Sequence, residues 1–391
     1  MRKILVLTSH HPSRRRPLQA LYGYYTYQAL ARHCAIRFLA PWPWWTRWRS
    51  PEDLVHPPRE RWGDLEVEFP PYWSIPGATP LHAVGMAASL ARRVRAIRRE
   101  FPFEAILTAW AYPDAVAAAL VASREKVPLI ATVLGSDVNE LPLRPALRFQ
   151  IRSGLSRARR IVAVSEALAG EVVRLGLPRE RIIVQHNGVD GDVFAIADRR
   201  AARSALGLPV ERALVGYVGR LSHEKGVDVL VEAMGELVQR DPRSMDLVIV
   251  GAGPLEPALR ARVAALALCG RVRFAGHRGH KELPHWLSAF DVLCLPSRRE
   301  GCPNVVLEAL ASGRPVVASG VGGVPELLRR DNGILVPPDR AADLAQALGR
   351  ALDRTWDATA LRATVPSLSW DAVARTYHRV VEDVVAEASA G

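Results

Sequence analysis

Short apolar runs rich in β-branched residues alternate with longer stretches of Ala, Leu and Arg, and this alternation restricts the fold more than any other feature. Parallel strands need a crossover connection, usually a helix, so the pattern predicts parallel sheets with helices on both faces. The candidate strands form two series. The first covers residues 3–8, 105–108, 128–133, 160–164 and 181–185, and the second covers 213–219, 246–251, 271–276, 291–296, 314–319 and 333–336.

Two series predict two α/β units, each built on a doubly wound parallel sheet. The 391 residues are enough for two full cores. Between the series, Asn187-Gly188 and Asp190-Gly191 are turn signals and Gly207 closes a short helix, so we expect a hinge there. After residue 336 we expect helices alone, the last being amphipathic and packed on one of the units.

Positive charge is concentrated in the N-terminal half. Residues 1–195 hold 27 Lys and Arg against 17 Asp and Glu; subtraction from the totals of 52 and 40 leaves 25 against 23 for residues 196–391. The first half thus carries +10 of the net charge of +12. We expect a field that attracts an anionic partner, but its sign does not distinguish nucleic acid, lipid headgroups and a phosphorylated acceptor.

The chain shows no targeting or metal-binding pattern. Its basic N-terminus is followed by an apolar run of residues 4–7 only, too short for a secretory signal. No segment approaches the ~20 apolar residues of a membrane-spanning helix, so we expect a cytoplasmic protein. The cysteines lack CxxC spacing, which favours reduced thiols and no structural metal; they are Cys34, Cys269, Cys294 and Cys302.

The loop that follows the first strand of the second series has groups suited to a diphosphate. In the segment VGRLSHEKG, Gly219 ends the strand, and Arg220 and Lys225 follow. Such a loop can offer backbone N–H groups, a bidentate guanidinium and an ammonium to an oxyanion. It is not a P-loop, because GxxxxGK[ST] is absent.

A second loop, in SRREGCPNVVLEALASG, places Glu300 before a turn and Glu308 on the helix after it. We expect this helix to begin with Asn304 as N-cap and to end at Gly313. Its N–H groups and positive dipole end would face the carboxyl edge of the sheet, where a diphosphate binds naturally. One acid could then hold a ribose and the other a sugar. Alternatively, Glu308 only complements the helix dipole.

Several segments occur in the order found in a known enzyme family. They are NGVD, YVGRLSHEKGVDVLVEA, VGAGP, LPSRREGCPNVVLEALASGRPVVASGVGGVPEL and NGILVPP. Together they resemble the retaining glycosyltransferases of family 4, over roughly residues 128–370. The resemblance implies the GT-B fold, in which two Rossmann-like domains face each other across a cleft. The acceptor-binding domain would comprise residues 1–190 and 371–391, including the returning C-terminal helix, and the donor-binding domain residues 191–370.

The family also implies an activity and residue roles. A sugar is transferred from a nucleotide sugar, such as a UDP-sugar, without a cofactor or an essential metal. By position, Arg220 and Lys225 neutralise the diphosphate, with Gly219 in the same loop. Glu300 contacts the donor sugar with Gly301, Cys302 and Asn304, and Glu308 contacts the ribose.

The first half departs from the family pattern at two places. A His commonly precedes Gly-x-Asp in the stretch IATVLGSDVNELP, but here that position is Leu134. Asp137 is then the nearest titratable candidate for a catalytic role, although a helix-capping or hinge-binding role fits it equally. The family's glycine-rich first loop is also poor, since it offers only Gly23; His10 and His11 could bind an acceptor phosphate or simply be solvated.

The acceptor is suggested by the segment APWPWWTRWRSPEDL, which interleaves tryptophans with arginines. Such residues suit the headgroup region of an anionic membrane. We therefore expect a peripheral enzyme that acts on a lipid-linked saccharide in polysaccharide or cell-envelope synthesis. The alternative is that the tryptophans pack on their own domain.

Two other functions fit parts of the sequence. A GT-B sugar-nucleotide epimerase would use a similar pocket, but it should show more acids and histidines in the N-terminal half. A nucleic-acid-binding protein would explain the basic charge and the Trp/Arg segment through phosphate contacts and base stacking. It would leave the acidic pair and the Arg220/Lys225 loop unexplained.

Overall fold

The computed structural model describes residues 1–13, 20–48, 58–240 and 245–390. The chain divides into two compact units. Unit 1 comprises Met1–Asn187 and Trp370–Gly391, and unit 2 comprises Gly188–Ser369. The division falls within three residues of the expected positions, 190 and 370, and lies at the Asn187-Gly188 turn signal.

Unit 1 has an eight-stranded sheet in its described part, in the order β10-β9-β8-β7-β1-β2-β5-β4. Its pairs are parallel except for the antiparallel pair β4–β5 at one edge. The strands are β1 Arg2–Leu7, β2 Cys34–Leu39, β4 Arg59–Trp62, β5 Leu65–Glu68, β7 Ala105–Ala109, β8 Leu129–Val133, β9 Arg160–Ala163 and β10 Ile182–Val184. A separate parallel pair is formed by β3 Trp42–Pro43 and β6 Pro71–Tyr72.

The strands of unit 1 that sequence reasoning missed are β2 to β6. Three of them lie on one side of β1, where β4 begins with three charged residues, β5 has a glutamate at every second position, and the two strands form the antiparallel edge. Charged edge strands are common because they discourage pairing with other chains. Such strands contain no apolar run, so their sequence does not indicate a strand.

The helices of unit 1 surround its sheet. They are α1 Leu21–Leu30, α2 His82–Glu100, α3 Val116–Glu125, α4 Ser136–Asn139, α5 Pro145–Ser156, α6 Glu166–Arg174 and α15 Trp370–Ala390. The C-terminal helix α15 buries a valine-rich stripe in the core of this unit, with Tyr377 at its centre. The expected return of the last helix to the first domain is thus confirmed.

Unit 2 has a six-stranded, all-parallel sheet in its described part, in the order β13-β12-β11-β14-β15-β16. The strands are β11 Ala213–Val218, β12 Met245–Val250, β13 Val272–Gly276, β14 Val292–Leu295, β15 Val316–Ser319 and β16 Gly333–Val336. Each matches a predicted strand to within two residues. The helices are α7 Arg199–Ala205, α8 Val227–Arg240, α9 Glu256–Ala265, α10 Leu283–Ala289, α11 Asn304–Ala311, α12 Val324–Leu327, α13 Ala341–Asp353 and α14 Ala358–Ala363.

Each sheet has a point at which its strand order reverses direction. In unit 1 the first strand, β1, lies between β2 and β7; in unit 2 the first strand, β11, lies between β12 and β14. Crossover helices leave such a point in opposite directions, so a crevice opens at the carboxyl ends of the two central strands. Ligands of α/β sheets bind at these crevices, and the fold therefore marks one candidate position in each unit.

Two expectations concern the whole chain. All four cysteines are free thiols, as expected. Within the described residues, no helix combines the length and apolarity of a membrane span.

Candidate active site

The reversal point of unit 2 lies between β11 and β14, and the loops that follow these strands form the candidate site. Residues 219–226 follow β11, and residues 296–303 follow β14 and lead into α11. Sequence reasoning had singled out both loops. The sheet now explains why they meet, since their strands are direct neighbours.

The two loops touch closely because of a glycine. Gly226 has a φ of +62°, and a Cβ at this position would lie 2.0 Å from the carbonyl oxygen of Pro296. Arg298 secures the same contact. Its backbone N–H donates to the Glu224 carbonyl at 2.8 Å, and its guanidinium bonds both carboxylate oxygens of Asp228 at 2.9 and 2.7 Å.

This contact brings Lys225 and Glu300 together. Lys225 Nζ lies 2.8 Å from Glu300 Oε1, and the Ser297 hydroxyl donates to the same oxygen at 2.7 Å. Glu300 is 8% exposed, so its charge depends on these two donors. Sequence reasoning missed Ser297, although its position three residues before Glu300, across the turn, was a usable signal.

Arg220 lies in the same loop but has a different environment. It is exposed, and no described carboxylate lies within ion-pair distance of its guanidinium. Its carbonyl accepts the Tyr217 hydroxyl at 2.9 Å, and Gly219 precedes it at the end of β11. The structure thus leaves this cation available to an anion without joining it to Glu300.

Helix α11 begins one residue differently from the prediction. Pro303 is the N-cap and Asn304 is the first helical residue, so the predicted N-cap role of Asn304 is wrong. Proline fixes φ near the value that this position needs, and it has no N–H to satisfy. The Asn304 Oδ1 atom is buried and has no hydrogen-bond partner among the described residues. The helix has eight residues, and Gly313, with φ +70°, follows its end as predicted.

The turn before α11 is held by the next loop. Gly323 N–H donates to the Gly301 carbonyl at 3.0 Å, and a Cβ on Gly322 would lie 1.9 Å from the Glu300 carbonyl oxygen. Cys302 is buried beside this turn. The loop at Gly322 and Gly323 therefore holds the backbone of Glu300 and Gly301 in place.

Glu308 is buried on α11, and His280 lies against it. The distance from His280 Nε2 to Glu308 Oε1 is 3.2 Å, and the imidazole also packs edge-on against Phe194. Sequence reasoning missed His280. Its segment, GHRGHKELP, follows β13 at the same edge of the sheet and contains two histidines, which was the available signal.

In unit 1, Asp137 binds the backbone instead of facing an open site. Its carboxylate accepts the N–H groups of Ala111 at 2.9 Å, Gly135 at 2.7 Å and Leu134 at 3.1 Å. Burial raises the pKa of Asp137, while these N–H groups oppose the shift. The carboxylate therefore holds the loops after β7 and β8 together and does not cap a helix, and the catalytic assignment has no support in this geometry.

Two predicted acceptor-binding residues are not in open positions. His11 is 3% exposed, its ring surrounded by aromatic side chains that include Phe38 and Trp62. Burial lowers the pKa of His11 to about 4, so the neutral ring does not suit a phosphate. Gly23 lies within α1 and not in a loop, with the His10 carbonyl 3.9 Å from the position of an added Cβ.

His10 is the one predicted acceptor residue that stays at the edge of the sheet. Its ring stacks on Trp110 at a centroid distance of 4.2 Å and is a quarter exposed. Burial lowers its pKa to about 4. The neighbouring Asp114, missed by sequence reasoning, is fully buried, and burial raises its pKa to about 7.

The tryptophans of the proposed membrane segment are bonded within unit 1. Trp42 Nε1 donates to the Phe69 carbonyl at 2.8 Å, while Trp44 and Trp45 donate to the Ser74 carbonyl and hydroxyl, each at 2.9 Å. The packing alternative therefore describes these three residues. Arg49 and the residues up to 57 lie outside the described part of the chain.

No group of three or more His, Cys, Asp and Glu side chains suitable for a metal ion occurs in the described part of either unit.

Family models match both units. The model described as Glycosyltransferase Family 4 matches residues 46–193, and the one described as Glycosyl transferases group 1 matches residues 212–354. The second match includes both loops of the candidate site in unit 2, and the first begins after β1 and α1 of unit 1.

Curated relatives are named as glycosyltransferases. The chain is 30% identical, over 89% of its length and 88% of the relative's, to a putative teichuronic acid biosynthesis glycosyltransferase, TuaC, of Bacillus subtilis. It is 36% identical to the alpha-D-kanosaminyltransferase of Streptomyces kanamyceticus, over 54% of this chain and 55% of that relative. It thus spans about half the length of the second relative.

Solved structures share the fold. Anabaena HepE, solved in complex with UDP, matches with a TM-score of 0.70 and 20% identity over the full length of both chains. The sucrose-phosphate synthase of Thermosynechococcus elongatus matches with a TM-score of 0.78 and 22% identity, over 99% of this chain and all of the other. The solved structures show the GT-B fold. The family models and the relative that is similar over nearly the whole chain show that the chain belongs to the family 4 glycosyltransferases.

Proposed function

We propose that this glycosyltransferase is a retaining enzyme that moves a hexose or N-acetylhexosamine from a UDP-sugar to a hydroxyl of a lipid-linked saccharide. The process would be polysaccharide or cell-envelope synthesis. The observation that carries the donor half is the convergence of Lys225, Glu300 and the start of α11 at the reversal point of unit 2. Unit 2 would bind the donor and unit 1 the acceptor.

The roles follow from charge and position. The α11 N–H groups, Lys225 and the exposed Arg220 supply positive charge for the diphosphate, which a helix N-terminus and cations bind well. Glu300, held by Lys225 and Ser297, would accept hydrogen bonds from the sugar hydroxyls. Glu308 would accept those of the ribose beside His280. Gly219, Gly301, Cys302 and Asn304 would contribute backbone to the pocket wall.

The proposed mechanism needs no protein nucleophile and no essential metal. As the nucleoside diphosphate leaves, positive charge develops at the anomeric carbon and negative charge on the leaving phosphate. The cations stabilise that phosphate, and one of its oxygens accepts the proton of the attacking hydroxyl on the same face of the sugar. The bond to the acceptor oxygen then forms with retention.

The comparisons support the substrate classes. HepE was solved with UDP, and a further HepE structure contains UDP-glucose. TuaC is named for teichuronic acid biosynthesis, which favours a polysaccharide product. The relatives' names are those of transferases, which favours transfer over the epimerase and nucleic-acid-binding alternatives.

The test is turnover with a panel of UDP-, GDP- and ADP-sugars in buffer containing EDTA, with the anomeric configuration of the product read by NMR. A UDP-sugar should be used, the configuration should be retained, and EDTA should have no effect. In Arg220→Ala, turnover should fall by on the order of 10²–10³, the effect of removing one preorganised donor. Arg329→Ala, an exposed control in unit 2, should match the wild type. Inversion of configuration, or normal turnover in Arg220→Ala, contradicts the mechanism.

We also propose that unit 1 binds an anionic membrane surface through the exposed face of α5. Leu143, just before this helix, is 77% exposed, and Phe149 on it is 75% exposed. Arg144, Arg148 and Arg152 are exposed beside them. Large apolar side chains among cations suit the interface of an anionic bilayer.

Co-sedimentation with vesicles tests this surface. Binding should require anionic lipid, weaken with salt and be lost in the double variant Leu143→Ser, Phe149→Ser. Val173→Ser, an exposed apolar position on α6, is the control and should bind normally. If binding does not depend on anionic lipid and is unchanged in the double variant, this part of the proposal is wrong.

A further inference from the structure

The reversal point of unit 1 contains a chain of polar contacts that the donor site does not use. β1 and β7 are adjacent there, and their ends are joined by two side-chain bonds. The Thr8 hydroxyl donates to the Ala109 carbonyl at 3.1 Å, and the Thr108 hydroxyl donates to the Leu7 carbonyl at 2.6 Å. These bonds fix the loop after β1 beside the loop after β7, at the position where α/β sheets bind ligands.

The contacts run from a buried acid to a partly exposed imidazole. Asp114, after β7, accepts both the backbone N–H of Ser9 and its hydroxyl, the latter at 2.9 Å. Ser9 Oγ lies 3.3 Å from His10 Nδ1. The His10 ring is held by its stack on Trp110, and no described residue bonds its Nε2 atom.

This arrangement selects one tautomer of His10. A serine hydroxyl has a single proton, and an ionised Asp114 draws that proton toward its carboxylate. Ser9 Oγ can then only accept from His10 Nδ1, so Nδ1 carries the imidazole proton. Nε2 is left with its lone pair and acts as a hydrogen-bond acceptor.

We infer that His10 Nε2 accepts the hydrogen bond of the acceptor's attacking hydroxyl, and that Ser9 and Asp114 are positioning residues that hold His10 in the required tautomer. This inference rests on the proposed function. The ligand it names is a neutral alcohol, such as a saccharide hydroxyl, and not the phosphate that His10 was first expected to bind. Such a bond directs the oxygen's proton away from its attacking lone pair and fixes its orientation.

The other candidate side chains that the structure describes at this edge do not serve the same purpose. Leu134 after β8 has no polar side chain, the Asp137 carboxylate is filled by backbone N–H groups, and His11 is enclosed by aromatic rings. The low pKa of His10 agrees with a neutral acceptor of a hydrogen bond and makes it a poor general base. The hydroxyl has one proton and bonds Nε2 before the reaction. As the nucleoside diphosphate leaves, this O–H turns from Nε2 to the leaving phosphate oxygen, which accepts the proton as in the proposed mechanism.

The tautomer is measured by long-range ¹H–¹⁵N NMR of histidine-labelled protein at about pH 8, above the pKa of Asp114. His10→Phe identifies the His10 signal. We expect the Nδ1–H tautomer in the wild type. Asp114→Asn should reverse it, because the amide donates to Ser9 Oγ and the serine proton must then turn to Nδ1. An Nε2–H tautomer in the wild type, or one unchanged by Asp114→Asn, overturns the inference.

The kinetic arm uses the nucleotide sugar that the wild type turns over, with water as the attacking oxygen and nucleoside diphosphate release as the signal. His10→Phe keeps the stack on Trp110 but lacks Nε2. It should reduce kcat by on the order of 10- to 100-fold, as for one lost hydrogen bond, while the Kd of UDP stays unchanged. His33→Phe, whose histidine pairs with Asp371 away from this edge, is the control.

The outcomes separate this inference from the proposed function. If the wild type releases nucleoside diphosphate and His10→Phe does so at the same rate, His10 has no such role and the proposed function stands. If no nucleotide sugar binds or reacts, the proposed function fails, and the inference fails with it whatever tautomer NMR finds.

Discussion

At the scale of single residues, the two acids of the proposed donor site differ in their hydrogen-bond partners. Glu300 depends on Lys225 and a serine hydroxyl, whereas Glu308 lies against an imidazole. A buried carboxylate with one cationic partner is strongly affected when that partner is removed, because its charge then lacks both water and a counter-charge. The Lys225–Glu300 pair is therefore a stability contact as well as part of the proposed binding site.

Lys225→Met should reduce the free energy of unfolding by roughly 1–3 kcal/mol, the cost of an unsatisfied buried group. Adding Glu300→Gln should restore much of this loss, since a neutral amide needs no cation. Urea denaturation of the four members of the double-mutant cycle measures both effects. If the loss of unfolding free energy in the double variant equals the sum of the losses in the two single variants, Lys225 and Glu300 do not interact as described.

Asp114 gives a second residue-scale prediction. Burial raises its pKa from 3.8 to about 7, so between these pH values the folded state keeps a proton that the unfolded state has lost. Stability is therefore lost as pH rises through this range. Asp114→Asn does not titrate, and its unfolding free energy relative to the wild type should rise between about pH 4 and 8, by at most about 4 kcal/mol for a shift of three units.

Denaturation curves at several pH values check this prediction. Thr8, Ser9 and His10 lie around the Asp114 carboxyl, and Tyr27 and Tyr72, from other elements, interact with it electrostatically. All five residues are unchanged in both proteins, so they do not contribute to the difference between them. A stability difference that does not change with pH would show that Asp114 titrates normally.

At the scale of elements, the donor site depends on how closely two loops approach each other. Gly226 and Gly207 have nearly equal left-handed φ angles, +62° and +60°. A Cβ added at Gly226 would collide with the Pro296 carbonyl oxygen. A Cβ added at Gly207 would have no atom within 4 Å. The two glycines therefore separate backbone strain from steric exclusion.

Both alanine variants should lose about 1 kcal/mol from the left-handed conformation. Gly226→Ala should lose more, because its Cβ pushes the loop with Lys225 away from Glu300, and it should also lose affinity for UDP in calorimetric titration. Gly207→Ala should bind UDP normally. Equal UDP affinity in the two variants would mean that the loop contact does not shape the site.

The same elements show what could be predicted from the sequence. The central strands β11, β14 and β15 of unit 2 are apolar runs because both faces of the sheet are buried there, and all six strands of this sheet were predicted. The charged edge strands β4 and β5 have no such run and were missed. Glu300, Lys225 and Arg220 were identified because turn and helix signals surround them.

The contacts of these residues could not be predicted in the same way. The hydrogen-bond partners of His280 and Asp114 are distant in the chain, and the partner of Ser297 lies across a turn. A single sequence does not reveal such pairs. The positions of His10 and His11 show the same limit. The two are adjacent in sequence, yet one lies at the sheet edge and the other in the aromatic core.

At the scale of the whole molecule, each unit has one candidate site at the reversal point of its own sheet. In unit 2 the groups are cations, two acids and a helix N-terminus, which suits a nucleotide diphosphate sugar. In unit 1 they are a neutral imidazole and its supporting acid, which suits an alcohol. The excess of positive charge in residues 1–195 is a separate property, which the proposed membrane face of α5 uses.

The central claim is that the pocket at α11 holds the diphosphate with one glutamate for each end of the donor. Calorimetric titration of UMP, UDP and the accepted UDP-sugar into wild type, Glu300→Gln and Glu308→Gln tests it directly. UDP should bind more tightly than UMP. Glu308→Gln should weaken all three by a similar factor, about 10-fold or more for charged hydrogen bonds to the ribose. Glu300→Gln should leave the affinities for UMP and UDP unchanged. It should remove only the additional affinity that the sugar gives the UDP-sugar over UDP. Equal effects of both variants on all three ligands, or no binding to the wild type, would contradict the account.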